Sequence, residues 1–332
     1  MIPLSKDNSI SVFTRSPGLA VDKVECVVTL PTFRRPDHLL KTLKSLRKQN
    51  TCRRFAVIVM ENEAEERKGA QAAAPLFESG LVEGLVIVAH ERGNCSAYNA
   101  GWQTALMTFP AFEKLLVIDD DEIAHPDWID RMWAASESLP ADIVGGPQIP
   151  VFAENVDTRR GRHPVFLPPY DRTSEVPTLY SSGNLIIGRN VLRHMGPPFL
   201  DLRFNFMGGG DSDFLSRARQ AGFRLGWCAE APVWETTPAR RLDRDWIVAR
   251  SLRNGVISTL VEKRKRAGTP LAGLKVLAKS LALLGASPFR SAVRLATGGP
   301  TLAALYPIHV ALGRVMAEFG YANEQYRQPE KN

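Results

Sequence analysis

Apolar residues in this chain gather into short runs separated by segments with helical spacing. Residues 24–30 form a run with the composition of a buried strand, stopped by Pro31-Thr32-Phe33-Arg34-Arg35-Pro36. Residues 37–48 then carry Leu39, Leu40, Leu43 and Leu46 on one helix face. A second run at 55–60 ends in Glu61-Asn62-Glu63, a helix is predicted over 64–77, and a third run occupies 85–88. A helix from about Ser96 to Met107 leads into a fourth run ending at Ile118. Strand and helix units alternating at this length predict an α/β fold with a parallel, doubly wound sheet. Right-handed crossovers then set the strand ends at Pro31, Glu61 and Asp119 along one rim, where open sheets of this kind bind ligands.

The fourth run, Lys114-Leu115-Leu116-Val117-Ile118, ends abruptly in Asp119-Asp120-Asp121-Glu122. Adjacent carboxylates repel one another unless a cation or hydrogen-bond donors compensate them. A hard divalent ion bound through oxygen would do so, and magnesium or manganese keeps phosphate oxygens as further ligands. The same residues also read as a solvated acidic turn before a helix beginning in 123–130, because Asp is favoured at helix starts.

After residues 142–146 the rhythm changes. The stretch 152–177 is rich in Pro, Arg and Asp and reads as a long surface loop or lid. Residues 178–187 read as a strand broken at Ser182-Gly183-Asn184, where glycine permits either close approach of a ligand or a bulge. In Gly208-Gly209-Gly210-Asp211-Ser212-Asp213 a glycine loop delivers carboxylates to the start of a helix running to Gly222, before a further strand at 223–228. Asp213 suits the helix start, whereas Asp211, held on glycine ahead of it, is the candidate for a general base.

Composition narrows the picture. The chain has 332 residues, enough for one large domain or two smaller ones, with the hydrophobic and charged content of an ordinary globular protein. Its cysteines (Cys26, Cys52, Cys95 and Cys228) lack metal-type spacing and predict a reduced, cytosolic setting. Residues 1–21 hold no apolar core of signal-peptide length and read as an N-terminal arm. The net charge of +7 is unevenly spread. Between Arg240 and Arg294 there are 13 Lys/Arg against 3 Asp/Glu, a net of +10, which leaves −3 for the remainder. This basic stretch is apolar-rich and has no recognition motif, which argues against a nucleic-acid partner.

Taken in order, Pro31-Thr32-Phe33-Arg34-Arg35, Glu61-Asn62, Gly93-Asn94-Cys95-Ser96-Ala97-Tyr98-Asn99-Ala100-Gly101, Asp119-Asp120-Asp121, Ser182-Gly183-Asn184 and the 208–213 loop resemble the motifs of family 2 glycosyltransferases. The resemblance covers roughly residues 22–255 and is to the bacterial exopolysaccharide enzymes in particular. It implies a GT-A fold over 22–240 and a basic helical extension over 241–332. It also implies dependence on manganese or magnesium, and inverting transfer from a nucleotide-diphosphate sugar, UDP-linked, to a glycan or lipid-linked acceptor in surface polysaccharide synthesis. Residue by residue, it implies a nucleotide pocket of Pro31, Thr32 and Arg34, with Glu61 near the base and Asn94 and Asn99 near the ribose or diphosphate. Asp119 and Asp120 would serve ribose and metal, and Asp121 would be the direct metal ligand. Asp211 would deprotonate the acceptor hydroxyl, with Asp213 orienting it or capping its helix.

Three positions depart from the family pattern: Tyr98 stands where an Arg is common, Gly210 where an acidic residue usually precedes the base, and Glu235 where many relatives have His. Glu235 is therefore either a replacement oxygen ligand or a surface carboxylate. The departures keep a catalytically silent glycan-binding or assembly subunit in view, beside a retaining transferase or a pyrophosphatase. In the basic segment, Arg250 and Arg253 share a helix face at i, i+3 and suit a diphosphate, or else form a solvated face beside Asp243 and Asp245. Residues 262–266 read as a surface run that could rest on anionic lipid. The stretches 271–285 and 295–313 are too interrupted to span a bilayer; they fit an amphipathic hairpin at the membrane surface, peripheral at the inner face of the cytoplasmic membrane, or helices packed on the domain or on a second copy.

Overall fold

The computed structural model describes residues 2–3, 9–154, 158–297, 300–321 and 327; Gly298-Gly299, part of the arm and most of the chain after Tyr321 lie outside the described residues. In chain order the strands are β1 (Ile2–Pro3), β2 (Ile10–Arg15), β3 (Cys26–Thr32), β4 (Phe55–Glu61), β5 (Gly84–Ala89), β6 (Lys114–Ile118), β7 (Glu122–Ala124), β8 (Ile143–Gly145), β9 (Gln148–Val151), β10 (Ser174–Glu175), β11 (Asn184–Gly188), β12 (Leu225–Trp227) and β13 (Val233–Thr236). The helices are α1 (Pro36–Leu46), α2 (Lys68–Glu78), α3 (Asn94–Thr108), α4 (Trp128–Ser138), α5 (Arg189–Met195), α6 (Gly210–Gln220), α7 (Arg244–Lys265), α8 (Ala272–Ala296), α9 (Thr301–Ala304) and α10 (Tyr306–Glu318).

The main sheet has the order β1-β2-β5-β4-β3-β6-β11-β8-β12-β10. Strands β5, β4, β3 and β6 run parallel, with Thr32 opposite Glu61 and Thr29 opposite Val117. Their carboxyl ends therefore share the rim that the strand–helix alternation predicts. Past β6 the parallel rule breaks, because β11 lies antiparallel between β6 and β8. Residues 10–15 of the expected arm are a strand, antiparallel to β5, with Ile10 buried. A second sheet, β7-β13-β9, sets Glu235 opposite Glu122. It makes a short strand of Glu122–Ala124, ahead of a helix that starts only at Trp128.

Alternating side chains feed two cores, one on each face of the sheet. Val28 and Leu30 point toward Leu39, Leu43, Phe77, Trp128 and Met132 on α1, α2 and α4. Val27 and Val117 point toward Tyr98, Trp102, Phe199 and Phe214 on the α3 and α6 side. Each such large buried side chain contributes about 1.5–3 kcal/mol relative to exposure. This fixes the rim between two rigid layers.

The helices after residue 241 continue from the second sheet and pack on α6 through α7. α7 and α10 cross at backbone contact: a Cβ on Gly255 would lie 2.1 Å from the Val310 carbonyl oxygen, and one on Gly313 would lie 1.9 Å from that of Leu252. α8 turns Val276, Ser280, Ser287 and Ser291 inward and leaves Leu274, Leu281 and Phe289 exposed. Among the described residues no helix is long and apolar enough to cross a membrane.

Candidate active site

Negative charge is concentrated where β6 ends. Asp119 accepts a hydrogen bond from the Tyr98 hydroxyl, and its own N–H donates to Glu122 at 2.8 Å. Asp120 is buried and accepts from the Thr32 hydroxyl at 2.9 Å. Asp121 pairs with Arg35 at 2.8 Å. Burial and the neighbouring Asp121 push the carboxyls of Asp119 and Asp120 up to about 7. Glu122, wholly buried and hydrogen-bonded to Gln148, is raised well above the usual carboxylate range by burial first and then by Asp119. β13 adds Glu235, which is held by Arg241 and raised by burial despite that partner. The Thr236 N–H ties this strand to the Asp121 carbonyl at 2.8 Å.

Glycine makes this crowding possible. A Cβ on Gly183 would lie 2.3 Å from Gln148 Nε2, 2.8 Å from Glu122 Oε1 and 2.9 Å from Asp119 Oδ2. The glycine in Ser182-Gly183-Asn184 thus admits the carboxylate cluster itself. β11 begins only at Asn184, so residues 178–181, expected as strand, instead line the cleft.

Asp211 lines the same cleft. Gly209, at φ +94°, turns the chain into α6 and leaves Asp211 in its first turn, accepting from the Ser212 N–H at 2.7 Å. Burial raises this carboxyl, while backbone donors and the charge of Arg250 on α7 oppose the rise. A cavity of about 1750 Å³ is lined by Asp119, Asp120, Asp121, Glu235, Asp211 and Arg250 together. Its walls include Pro31, Thr32, Asn94 and Arg253, and residues 164–169 of the long loop close one side. Asp211 and Asp121 therefore face one shared space. Gly210 is glycine for a steric reason: a Cβ there would lie 2.5 Å from Cys95 Sγ. An acidic side chain has no room at that position.

Four of the expected residues lie elsewhere. Arg34, at φ 56°, turns away from the cleft and pairs with Glu63, so the guanidinium that reaches the aspartates belongs to Arg35. Glu61 is fully buried and accepts from the N–H groups of Glu63 and Ala70, which makes it a cap for the start of α2 rather than part of the cleft wall. Asn99 exchanges two 2.8 Å hydrogen bonds with the backbone of Leu200 and holds that loop in place. Asp213 is 1% exposed and bonded to Arg217 at 2.8 Å and Arg264 at 2.9 Å, within an ion network that also takes in Asp201. It is a buried, ion-paired carboxylate in the first turn of α6.

Arg35, Tyr98, Glu122, Gln148 and Arg241, to which the motifs assigned no role in the site, touch the acidic cluster. Phe33 and Arg92 line the cleft, with the Arg92 guanidinium 5.1 Å from the Phe33 ring. Glu122 stood in the quoted acidic run, but only its pairing with β13 places it inside.

These carboxylates form an all-oxygen donor set under mutual repulsion, and three of them, Asp120, Asp121 and Glu235, already draw a guanidinium. Such a set fits a hard divalent cation. Among the described residues, no three of them are already gathered as a complete ligand set. Asp121, Asp119 and Glu235 are the carboxylates that the family resemblance assigns to such an ion.

The sequence profile of Glycosyl transferase family 2 matches residues 27–196. The chain belongs to that family. This glycosyltransferase is 30% identical over 229 residues to the succinoglycan biosynthesis protein ExoM of Rhizobium meliloti (strain 1021), spanning 68% of the present chain and 71% of that one. It is 22% identical to the glycosyltransferase AglE of Haloferax volcanii over 60% of its own length and 62% of that relative's. Among solved structures it resembles the mannosyltransferase PcManGT of Pyrobaculum calidifontis, in complex with GDP-Man and Mn2+. The TM-score is 0.56 at 16% identity, over 91% of this chain and 89% of that one. The GT-A fold expected of the family 2 enzyme is thus present. The profile match ends before Asp211, Glu235 and Arg250, which complete the cleft.

Proposed function

We propose that this glycosyltransferase is an inverting, metal-dependent enzyme. It moves a sugar from a UDP-linked donor to a hydroxyl of a glycan or lipid-linked acceptor in surface polysaccharide synthesis. One observation carries the reading: Asp211 and the aspartate rim line the same cleft. The donor lies along Pro31, Thr32, Arg35, Asn94, Asp119 and Asp120, with Arg250 and Arg253 toward its diphosphate. Magnesium or manganese, when bound by Asp121, Asp119 and Glu235, supplies positive charge against the departing diphosphate. Asp211 takes the proton of the acceptor hydroxyl, whose oxygen bonds to the anomeric carbon from the face opposite the leaving group. The bond to the nucleotide diphosphate breaks as that bond forms, which inverts the anomeric centre. Burial raises the Asp211 carboxyl and so strengthens it as a base, while the charge of Arg250 opposes that rise.

The PcManGT complex with GDP-Man and Mn2+ supports nucleotide-sugar and cation use, and the relation to ExoM supports a role in exopolysaccharide assembly. The basic C-terminal helices support a peripheral position at the inner face of the cytoplasmic membrane.

The test is to incubate purified protein with MnCl2 and a panel of nucleotide sugars, and to follow free nucleotide and product anomer. The reading expects one preferred donor, inverted product, loss of turnover in EDTA, and at least a 100-fold loss of kcat in Asp211→Asn with donor binding retained. Retained configuration, donor cleavage that needs no acceptor, or full cellular function of Asp121→Ala would each sink it.

A further inference from the structure

Each carboxylate assigned to the cation carries a hydrogen-bond donor of the protein itself. The Tyr98 hydroxyl bonds one oxygen of Asp119, and the Arg241 guanidinium bonds Glu235. The Arg35 guanidinium lies 2.8 Å from Asp121 and 3.5 Å from Asp120. These donors are not equivalent. Tyr98 is neutral and buried on α3, and it bonds Asp119 Oδ1, while Oδ2 lies toward Gly183. That hydroxyl can stay in place beside a cation. Arg241 is charged but braced, with its guanidinium carbon 5.7 Å from the Trp246 ring centroid and its side chain 14% exposed.

Arg35 is both charged and unbraced. It stands at the N-terminal boundary of α1, directly before Pro36, and its side chain is 34% exposed and lines the cleft. Among the described residues its guanidinium bonds Asp120 and Asp121 and nothing else. The aspartates alone therefore set its position. Asp121 is only 11% exposed, so water screens the pair weakly. A cation arriving alone meets a rim already partly neutralised, and has to displace that ion pair to reach Asp121. A nucleoside diphosphate changes the balance, because its phosphate oxygens offer the guanidinium a bidentate partner of greater charge.

We propose that Arg35 is a placeholder for the cation that turns from Asp121 to the donor diphosphate, so that cation and nucleotide each bind well only with the other. The inference rests on the transferase reading, with Asp121 as a ligand, and adds the residue that couples the two binding events. In thermodynamic terms Arg35 supplies a reciprocal coupling between them. Loading of the rim by metal alone is thereby disfavoured.

The experiment uses the full-length protein and two probes. MnCl2 without nucleotide is followed by the EPR signal of free Mn2+, and UDP in saturating MnCl2 is titrated by calorimetry. Arg35→Gln is expected to bind Mn2+ alone about tenfold or more tightly than the parent, and UDP about tenfold or more weakly, as coupled sites usually show. The two changes have opposite sign, which loss of a merely structural residue does not produce. Arg35→Lys keeps the charge and loses the fork. It is expected to retain the weak Mn2+ binding of the parent and to lose UDP affinity, and it keeps the rim paired should Arg35→Gln fail to fold. Lys44→Gln removes one positive charge from the exposed face of α1 and is expected to leave both affinities unchanged.

Unchanged or weaker Mn2+ binding in Arg35→Gln overturns the proposal, as does unchanged UDP affinity in either Arg35 variant. Arg35→Lys binding Mn2+ as tightly as Arg35→Gln overturns it too, because charge is then not what holds the place. The same pair of changes in Lys44→Gln overturns it by assigning the effect to net charge. Failure of the parent to bind Mn2+ even with UDP removes the metal-dependent reading itself. Binding of both that is intact in the parent and indifferent to Arg35 removes the placeholder alone.

Discussion

Replacing Asp119 with Asn removes one charge from the rim while keeping the size of the side chain and an oxygen to accept the Tyr98 hydroxyl. Burial and Asp121 raise the Asp119 acid from 3.8 to about 7. At about 1.4 kcal/mol per pH unit, that difference corresponds to at most roughly 4 kcal/mol. The carboxylates titrate together, so removing one returns about half, roughly 2 kcal/mol. The sign follows from proton binding. Between pH 3.8 and about 7 the folded protein holds a proton that the unfolded chain has released, so the parent loses stability as pH rises through this window. D119N does not share that loss. Its advantage is therefore near zero at pH 4, grows to pH 7 and stays constant above. Differential scanning calorimetry in EDTA should show a Tm gain of roughly 4 °C at pH 8, given about 2–4 °C per kcal/mol in domains somewhat smaller than this one. The same variant should lose at least 100-fold in kcat and the stabilisation that MnCl2 with UDP gives the parent. A Tm gain of equal size at pH 4.5 and pH 8, or a lower Tm at pH 8, refutes the claim that burial and the neighbouring Asp121 hold the Asp119 carboxyl high in the folded protein.

Three further outcomes separate chemistry from scaffolding. Asp213→Asn strips Arg217 and Arg264 of their buried partner and should cost about 3 kcal/mol in urea unfolding, while kcat of the folded fraction stays within about threefold. Gly210→Ala should destabilise by about 1–3 kcal/mol through its clash with Cys95 Sγ, and adding Cys95→Ala should return part of that loss in the same assay. Gly183→Ala drives a methyl group against Asp119 and Glu122, so its UDP affinity in MnCl2 should fall at least tenfold with the far-UV spectrum unchanged.

The parallel half of the sheet was legible because each strand is a continuous apolar run and each helix shows its own period. β3, β4, β5 and β6 lie within two residues of the predicted bounds. The elements that escaped are the ones defined by distant pairing. β2 exists because β5 offers it an edge, and β7 exists because residues 233–235 return to pair with it after more than a hundred residues. The aspartate rim and Asp211 were visible as motifs, and their meeting in one cleft follows from the fold. The roles expected of Arg34, Glu61 and Asn99 came from motif position alone. Local geometry decides against each: a left-handed turn at Arg34, helix-end donors around Glu61, and the Leu200 backbone opposite Asn99. Tyr98 shows the converse, since a departure from the family pattern proves to hold the Asp119 carboxylate.

The seam where Gly255 meets Gly313 has a bearing on how this protein can be re-engineered. With backbone resting on backbone, neither helix can be exchanged for a homologous one unless its partner travels with it. α7 also floors the catalytic cleft, so a chimera joined between α7 and α10 would disturb Arg250 even though the graft lies far from the sugar. Grafts meant to alter acceptor choice should therefore break ahead of residue 244 and carry everything through residue 318 as one block.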